Sequence, residues 1–120
     1  MTVRRLKTYT GAQGYVYQYY FVGSRPAGAG YIGPPAMEYV FDVTCDRRTT
    51  FSVSIFLDRD ALTAWTGTHG RQLTAAEQYA AAKLRLFRGF DEIENMMSEG
   101  RKLALDAPLL AELLTTVGVT

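Results

Sequence analysis

The sequence predicts an α+β protein, in which an antiparallel β-sheet is followed by helices that pack on one of its faces. The period of the apolar residues is the first observation behind this class. It is two up to about residue 57, which is typical of strands, and close to the helical period of about 3.6 beyond that point. Residues that cap helices also precede the apolar stretches of the second half. A length of 120 residues fits one α+β domain over 1–120 with room for a hydrophobic core.

The first half is predicted to contain three to four strands. We place them at residues 2–9, 15–22, 38–45 and 50–57. The last two form the clearest predicted hairpin, with one buried face and one wet face. The segment 23–36 between the second and third strands holds four glycines and three prolines, so we expect an irregular loop there. Loops of this length in compact domains are often binding loops.

The second half is predicted to contain three helices, at residues 59–66, 75–98 and 107–116. Asp58 is a good N-cap for the first helix, which we expect to end at Gly67. Thr74 and Glu77 have the spacing of a capping box at the start of the longest helix. Gly89 lies within that helix and indicates a bend or a close contact with another helix.

Composition and charge argue against several classes of function. The formal net charge is +1, so no overall charge draws the chain to nucleic acid or to an anionic membrane. No apolar run is long enough to span a bilayer, and the basic N-terminus lacks the apolar region of a signal peptide. Cys45 is the only cysteine, so no internal disulfide forms and a reducing compartment suits the chain. We therefore expect a soluble cytoplasmic protein.

No motif in the sequence specifies a chemistry. Cys45 continues the alternation of Tyr39, Phe41 and Val43, which predicts a buried structural thiol. His69, the only histidine, is expected to be an exposed residue of a turn. One cysteine and one histidine that are far apart do not form a metal site or a catalytic pair. We expect no metal, no cofactor and no catalytic residue.

The stretch 15–21, YVYQYYF, places aromatic rings on both faces of the second strand. If helices cover only one face of the sheet, the rings on the other face are surplus to the core. Val16, Gln18, Tyr20, Val40 and Phe56 then share the open face, and the opposite assignment would expose the remaining rings instead. Tyrosine and arginine are favoured in interfaces. The residues predicted to bind a partner are Tyr15, Tyr17, Tyr19, Tyr20, Arg25, Tyr31, Arg47 and Arg48.

These observations predict a small non-enzymatic protein-interaction module, with a pattern typical of small bacterial domains. Its partner is expected to be another protein chain, and a second copy in a homodimer is the first choice. One alternative is a single-stranded nucleic-acid-binding protein that stacks bases on the tyrosine strand, beside Arg47 and Arg48. The other is a small-ligand-binding protein or enzyme with a pocket under the 23–36 loop and Arg25 as its anion anchor.

Overall fold

The α+β class is confirmed by the structure, a computed structural model that describes residues 6–120. In this range five strands form one sheet, which is accompanied by four helices. In chain order the elements are β1 (Lys7–Thr10), β2 (Val16–Pro26), β3 (Ala36–Thr44), β4 (Phe51–Asp58), α1 (Arg59–His69), α2 (Ala75–Glu92), α3 (Met96–Glu99), β5 (Lys102–Leu105) and α4 (Ala107–Thr116). Residues 2–5 of the first predicted strand lie outside the described range.

The five strands follow one another across the sheet in chain order. The first four are antiparallel to their neighbours, whereas β5 lies parallel to β4. The prediction of a purely antiparallel sheet is therefore wrong. A parallel neighbour requires a crossover connection, and helices α1 to α3 provide it.

Strand β5 and the break before α3 were not predicted. The helix expected over 75–98 ends at Glu92, because Ile93 leaves the helical region with φ −100° and ψ 116°. A new short helix starts at Met96, and its N-cap Asn95 accepts a hydrogen bond from the amide of Ser98 at 3.2 Å. The following strand has only four residues. Such a short segment carries too little alternation to be separated from a loop.

Other boundaries differ from the prediction for identifiable reasons. Helix α1 continues past Gly67 and ends at Gly70, which adopts the left-handed φ of 73°. Strand β2 runs on to Pro26 through a bulge between Phe21 and Gly23, so the irregular segment shrinks to residues 27–35. We call this segment the 27–35 loop. It remains rich in glycine and proline, but it is shorter than expected.

The caps of the helices were predicted with more success. The capping box of Thr74 and Glu77 is present at the start of α2. Asp106 caps α4, whose bounds agree with the predicted 107–116. Asp58 has the position of an N-cap but makes no side-chain hydrogen bond to its helix. Gly89 does mark a close contact, although with a strand, because an added Cβ would lie 2.8 Å from Cδ1 of Leu103 in β5.

The hydrophobic core lies between one face of the sheet and the helices. Aromatic rings of the first strands stack on rings of α2, Tyr9 on Phe87 at 4.2 Å and Tyr17 on Phe90 at 4.1 Å between centroids. The hydrophobic core that the described helices share with the sheet does not include the other sheet face, where Tyr31 of the 27–35 loop stacks on Phe56, so we call it the helix-free face. None of the helices described for residues 6–120 combines the length and apolarity that crossing a bilayer requires.

Candidate interaction surface

The structure resolves which face of strand β2 is covered. Tyr17 and Tyr19 face the helices and are 2% and 4% exposed, so their rings belong to the core. Val16, Gln18 and Tyr20 lie on the helix-free face, where Val16 is half exposed. The strand therefore supplies one large ring to the helix-free face. Tyr17 and Tyr19 are not accessible to a partner on either face.

Apart from the three tyrosines of β2, the predicted partner-binding residues are divided between two ends of the sheet. Tyr15 lies beside the turn between β3 and β4, which also carries Arg47 and Arg48. Arg47 adopts a left-handed φ of 64° in this turn. Arg25 and Tyr31 lie at the other end, with the 27–35 loop. The structure does not bring the eight residues together into one site.

Tyr20 lies on the helix-free face, where it lines the same depression as Arg47, and it belongs to a polar pair. Its hydroxyl donates to Oδ2 of Asp42 on the neighbouring strand at 2.7 Å. The same carboxylate is 3.5 Å from Oγ of Ser52 on β4. Asp42 thus connects the polar tip of this ring on β2 with Ser52 on β4.

Arg25 takes part in a row of side chains that crosses four strands of the helix-free face. The cross-strand register aligns Arg25, Glu38, Phe56 and Ala104. Arg25 donates from Nε to Oε1 of Glu38 at 2.8 Å, and Ser54 donates from Oγ to Oε2 at 2.6 Å. Glu38 is a buried acid, at 8% exposure. The hydrogen bond from Arg25 holds its pKa below the ordinary value, against the opposite effect of burial, and the charge of Lys102 assists.

Tyr31 connects the 27–35 loop to this row. Its ring stacks on Phe56 with 4.4 Å between the centroids, and Phe56 is only 7% exposed. Its hydroxyl donates to Oδ1 of Asp58 at 3.3 Å, and burial raises the pKa of that carboxyl group. Backbone hydrogen bonds from Ala27 to Ala36 and from Arg59 to Pro35 hold the two ends of the loop. The loop is therefore fixed to the sheet.

The next residue of the loop is displayed to solvent. Ile32 is 96% exposed, the highest value among the exposed large apolar residues of the described chain. It forms one side of an open depression of about 550 Å³ between the loop and β5. Tyr31, Glu38, Phe56, Lys102 and Ala104 line the same depression. An apolar side chain at the rim, aromatic rings, a carboxylate and a cation are thus brought together.

The expectation for Cys45 was wrong. The thiol is exposed, because β3 ends at Thr44 and the chain turns away before Cys45 can join the buried alternation. His69 is exposed as expected, although it is the last residue of α1 and stacks on Trp65 at 4.0 Å between centroids. Within residues 6–120, no group of three or more histidine, cysteine or carboxylate side chains is arranged to hold a metal ion.

Sequence reasoning missed three contributors to this surface. Lys102 was overlooked because β5 was not predicted, and its four residues KLAL carry too little alternation to identify a strand. Glu38 was placed on the correct strand, but nothing in the sequence marked its pairing with Arg25. Ile32 was included only as part of a long loop. Its exposure depends on the stacking of Tyr31 on Phe56, which joins segments that are distant in sequence.

Comparisons with models of protein families, with curated proteins and with solved structures found no match to this chain.

Proposed function

We propose that the chain is a small protein-interaction module that binds with its helix-free face and 27–35 loop, and that its partner is a second copy. The observation that carries this proposal is the nearly complete exposure of Ile32 on a loop anchored to the sheet. A rigidly displayed apolar side chain loses little conformational entropy when it enters an interface. Exposed Val16 on the same face adds apolar area.

The charges of this face are compatible with a second copy as the partner. The positive charges on this face are balanced by negative ones. The cations are Arg25 and Lys102, and the acids are Glu38, Asp42 and Asp58. Two copies of such a face do not carry a large charge of one sign and therefore do not repel each other strongly. Homodimers with a twofold axis are also the commonest assemblies of soluble proteins.

Burial argues against the nucleic-acid alternative. That hypothesis needs a row of accessible rings beside arginines. Tyr17 and Tyr19 are in the core, so of the three tyrosines of β2 only Tyr20 remains beside Arg47. The remaining rings do not form a continuous stacking platform.

The proposal is tested by sedimentation velocity over a wide range of protein concentrations. We expect a reversible monomer–dimer equilibrium, and we expect Ile32→Ser to raise the dimer dissociation constant by about tenfold or more, because burial of the isoleucine is lost. Met97→Ser is the matched control, since Met97 is 40% exposed at the other end of the molecule. A wild-type chain that stays monomeric throughout would refute the proposed homodimer. Equal effects of the two substitutions would refute the role of the loop.

A further inference from the structure

The depression beside the 27–35 loop is lined by a cation, Lys102, whose hydrogen-bonding capacity the described residues do not use. Arg25 binds Glu38 through Nε alone, and within residues 6–120 neither of its Nη atoms has a hydrogen-bond partner. Lys102 also has no hydrogen-bond partner in the described chain, although it is close enough to Glu38 to lower the pKa of that acid. Arg25 thus compensates the charge of Glu38, and the ammonium group of Lys102 remains available on the wall of the depression.

An apolar surface adjoins these cations. Tyr31 and Phe56 form a stacked pair, Ala104 is a small residue on the neighbouring strand, and Ile32 stands at the rim. The size of the depression, about 550 Å³, lies within the range of about 300 to 1,000 Å³ that is common for small-molecule sites. Asp58 lies two residues after Phe56 at the end of β4 and accepts a hydrogen bond from the hydroxyl of Tyr31. Lys102 lies on the other side of Phe56, because it is opposite Ser54 in the strand register of β4 and β5. A ligand anion would therefore be favoured at the Lys102 side and disfavoured at the Asp58 side.

We infer that this depression binds a small organic carboxylate whose charged group is attached to an apolar body. The carboxylate accepts hydrogen bonds from the ammonium group of Lys102, while Arg25 compensates the charge of Glu38. The apolar body lies against Tyr31, Ile32 and Ala104. All residues of this site belong to one copy, although Tyr31 and Ile32 are shared with the surface proposed for self-association.

The test is a titration of the ¹⁵N-labelled chain followed by NMR, with phenylacetate as the probe. We expect saturable shifts of the backbone amides of Lys102, Ala104 and Tyr31. Phenylacetamide keeps the ring without the charge, and acetate keeps the charge without the ring. Both should bind about tenfold more weakly or worse, since each lacks one half of the recognition.

Two substitutions locate the binding in the depression. Lys102→Gln should weaken phenylacetate binding by about tenfold, through loss of the cation. Ala104→Leu should abolish it by filling the floor. Lys7→Gln is the matched control and should leave the affinity unchanged. Lys7 is also an exposed lysine on a strand, but it lies opposite Tyr19 on the face that carries the helices.

The inference is overturned if phenylacetate causes no saturable shifts, or if phenylacetamide binds as tightly. It is also overturned if Lys102→Gln retains both the wild-type spectrum outside β5 and the wild-type affinity. Sedimentation velocity on the same samples reports separately on self-association, so failure of the ligand site and failure of the proposed dimer are distinguishable.

Discussion

The two faces of strand β2 differ in how far along the chain their partners lie. On the helix-covered face, Tyr17 stacks on Phe90, and Tyr19 contacts Phe87 edge to face with 5.5 Å between the ring centroids. Both rings therefore pack against α2, which is far along the chain. On the helix-free face, Tyr20 bonds to Asp42 and Arg25 bonds to Glu38, both on the adjacent strand. The first face therefore stabilises the tertiary fold, whereas the second is organised by local pairs and remains open to a partner.

The largest effect that tests this comparison is expected from Tyr17→Ala. Loss of a buried ring stacked on Phe90 should lower the free energy of unfolding by about 3 to 5 kcal/mol. Tyr20→Ala, on the helix-free face, should cost about 1 to 2 kcal/mol, because that ring is only partly buried. Urea unfolding followed by circular dichroism measures both values. Equal losses would show that the two faces contribute alike to stability.

A smaller effect is expected where the turn after β1 meets α2. An added Cβ on Gly11 would lie 2.6 Å from the carbonyl oxygen of Phe90, and this backbone atom has little freedom to move. Gly11→Ala should therefore destabilise the chain by about 1 to 3 kcal/mol. Gly28→Ala is the matched control in the 27–35 loop, since a Cβ there meets no atom within 4 Å. Thermal unfolding that shifts equally in the two variants would contradict the close approach of the turn to the helix.

The α+β class and most element positions could be predicted because they depend on local patterns. Alternation identified β4, and the capping box of Thr74 and Glu77 identified the start of α2. The face of β2 that the helices cover could not be predicted, because Tyr17 and Tyr20 are the same residue type on opposite faces. Only long-range packing against α2 decides between them.

The candidate surface was less predictable than the fold. Its centre depends on the row that aligns Arg25, Glu38 and Phe56 across three strands, and the bulge between Phe21 and Gly23 shifts the register that creates this row. Sequence patterns do not show bulges of this kind reliably. The ring of Phe56, expected to be surplus on the open face, is covered by Tyr31 of the chain's own loop. The predicted excess of exposed rings is therefore partly removed within the monomer.

The smallest effect concerns the polar pairing of the helix-free face and its dependence on pH. Glu38→Gln keeps the shape of the side chain but removes the charge that binds Arg25. Because the guanidinium side chain of Arg25 is 69% exposed, solvent screens the pair and the expected loss at neutral pH is only about 1 kcal/mol. Urea unfolding of the wild type and the variant at a series of pH values measures this difference.

The pH dependence separates the charge of Glu38 from its packing. The pKa of Glu38 in the folded chain is lowered, chiefly by Arg25, so its ionised form stabilises the fold at pH values above the ordinary pKa of 4.5. This stabilisation is lost as the pH falls below 4.5 and through the folded pKa, and the two proteins should then converge in stability. Asp58→Asn should show the opposite sign, because burial raises the pKa of Asp58 and its ionised form destabilises the fold above that pKa. A Glu38→Gln difference that stays constant on acidification would mean that packing, and not the bond to Arg25, holds this residue in the sheet.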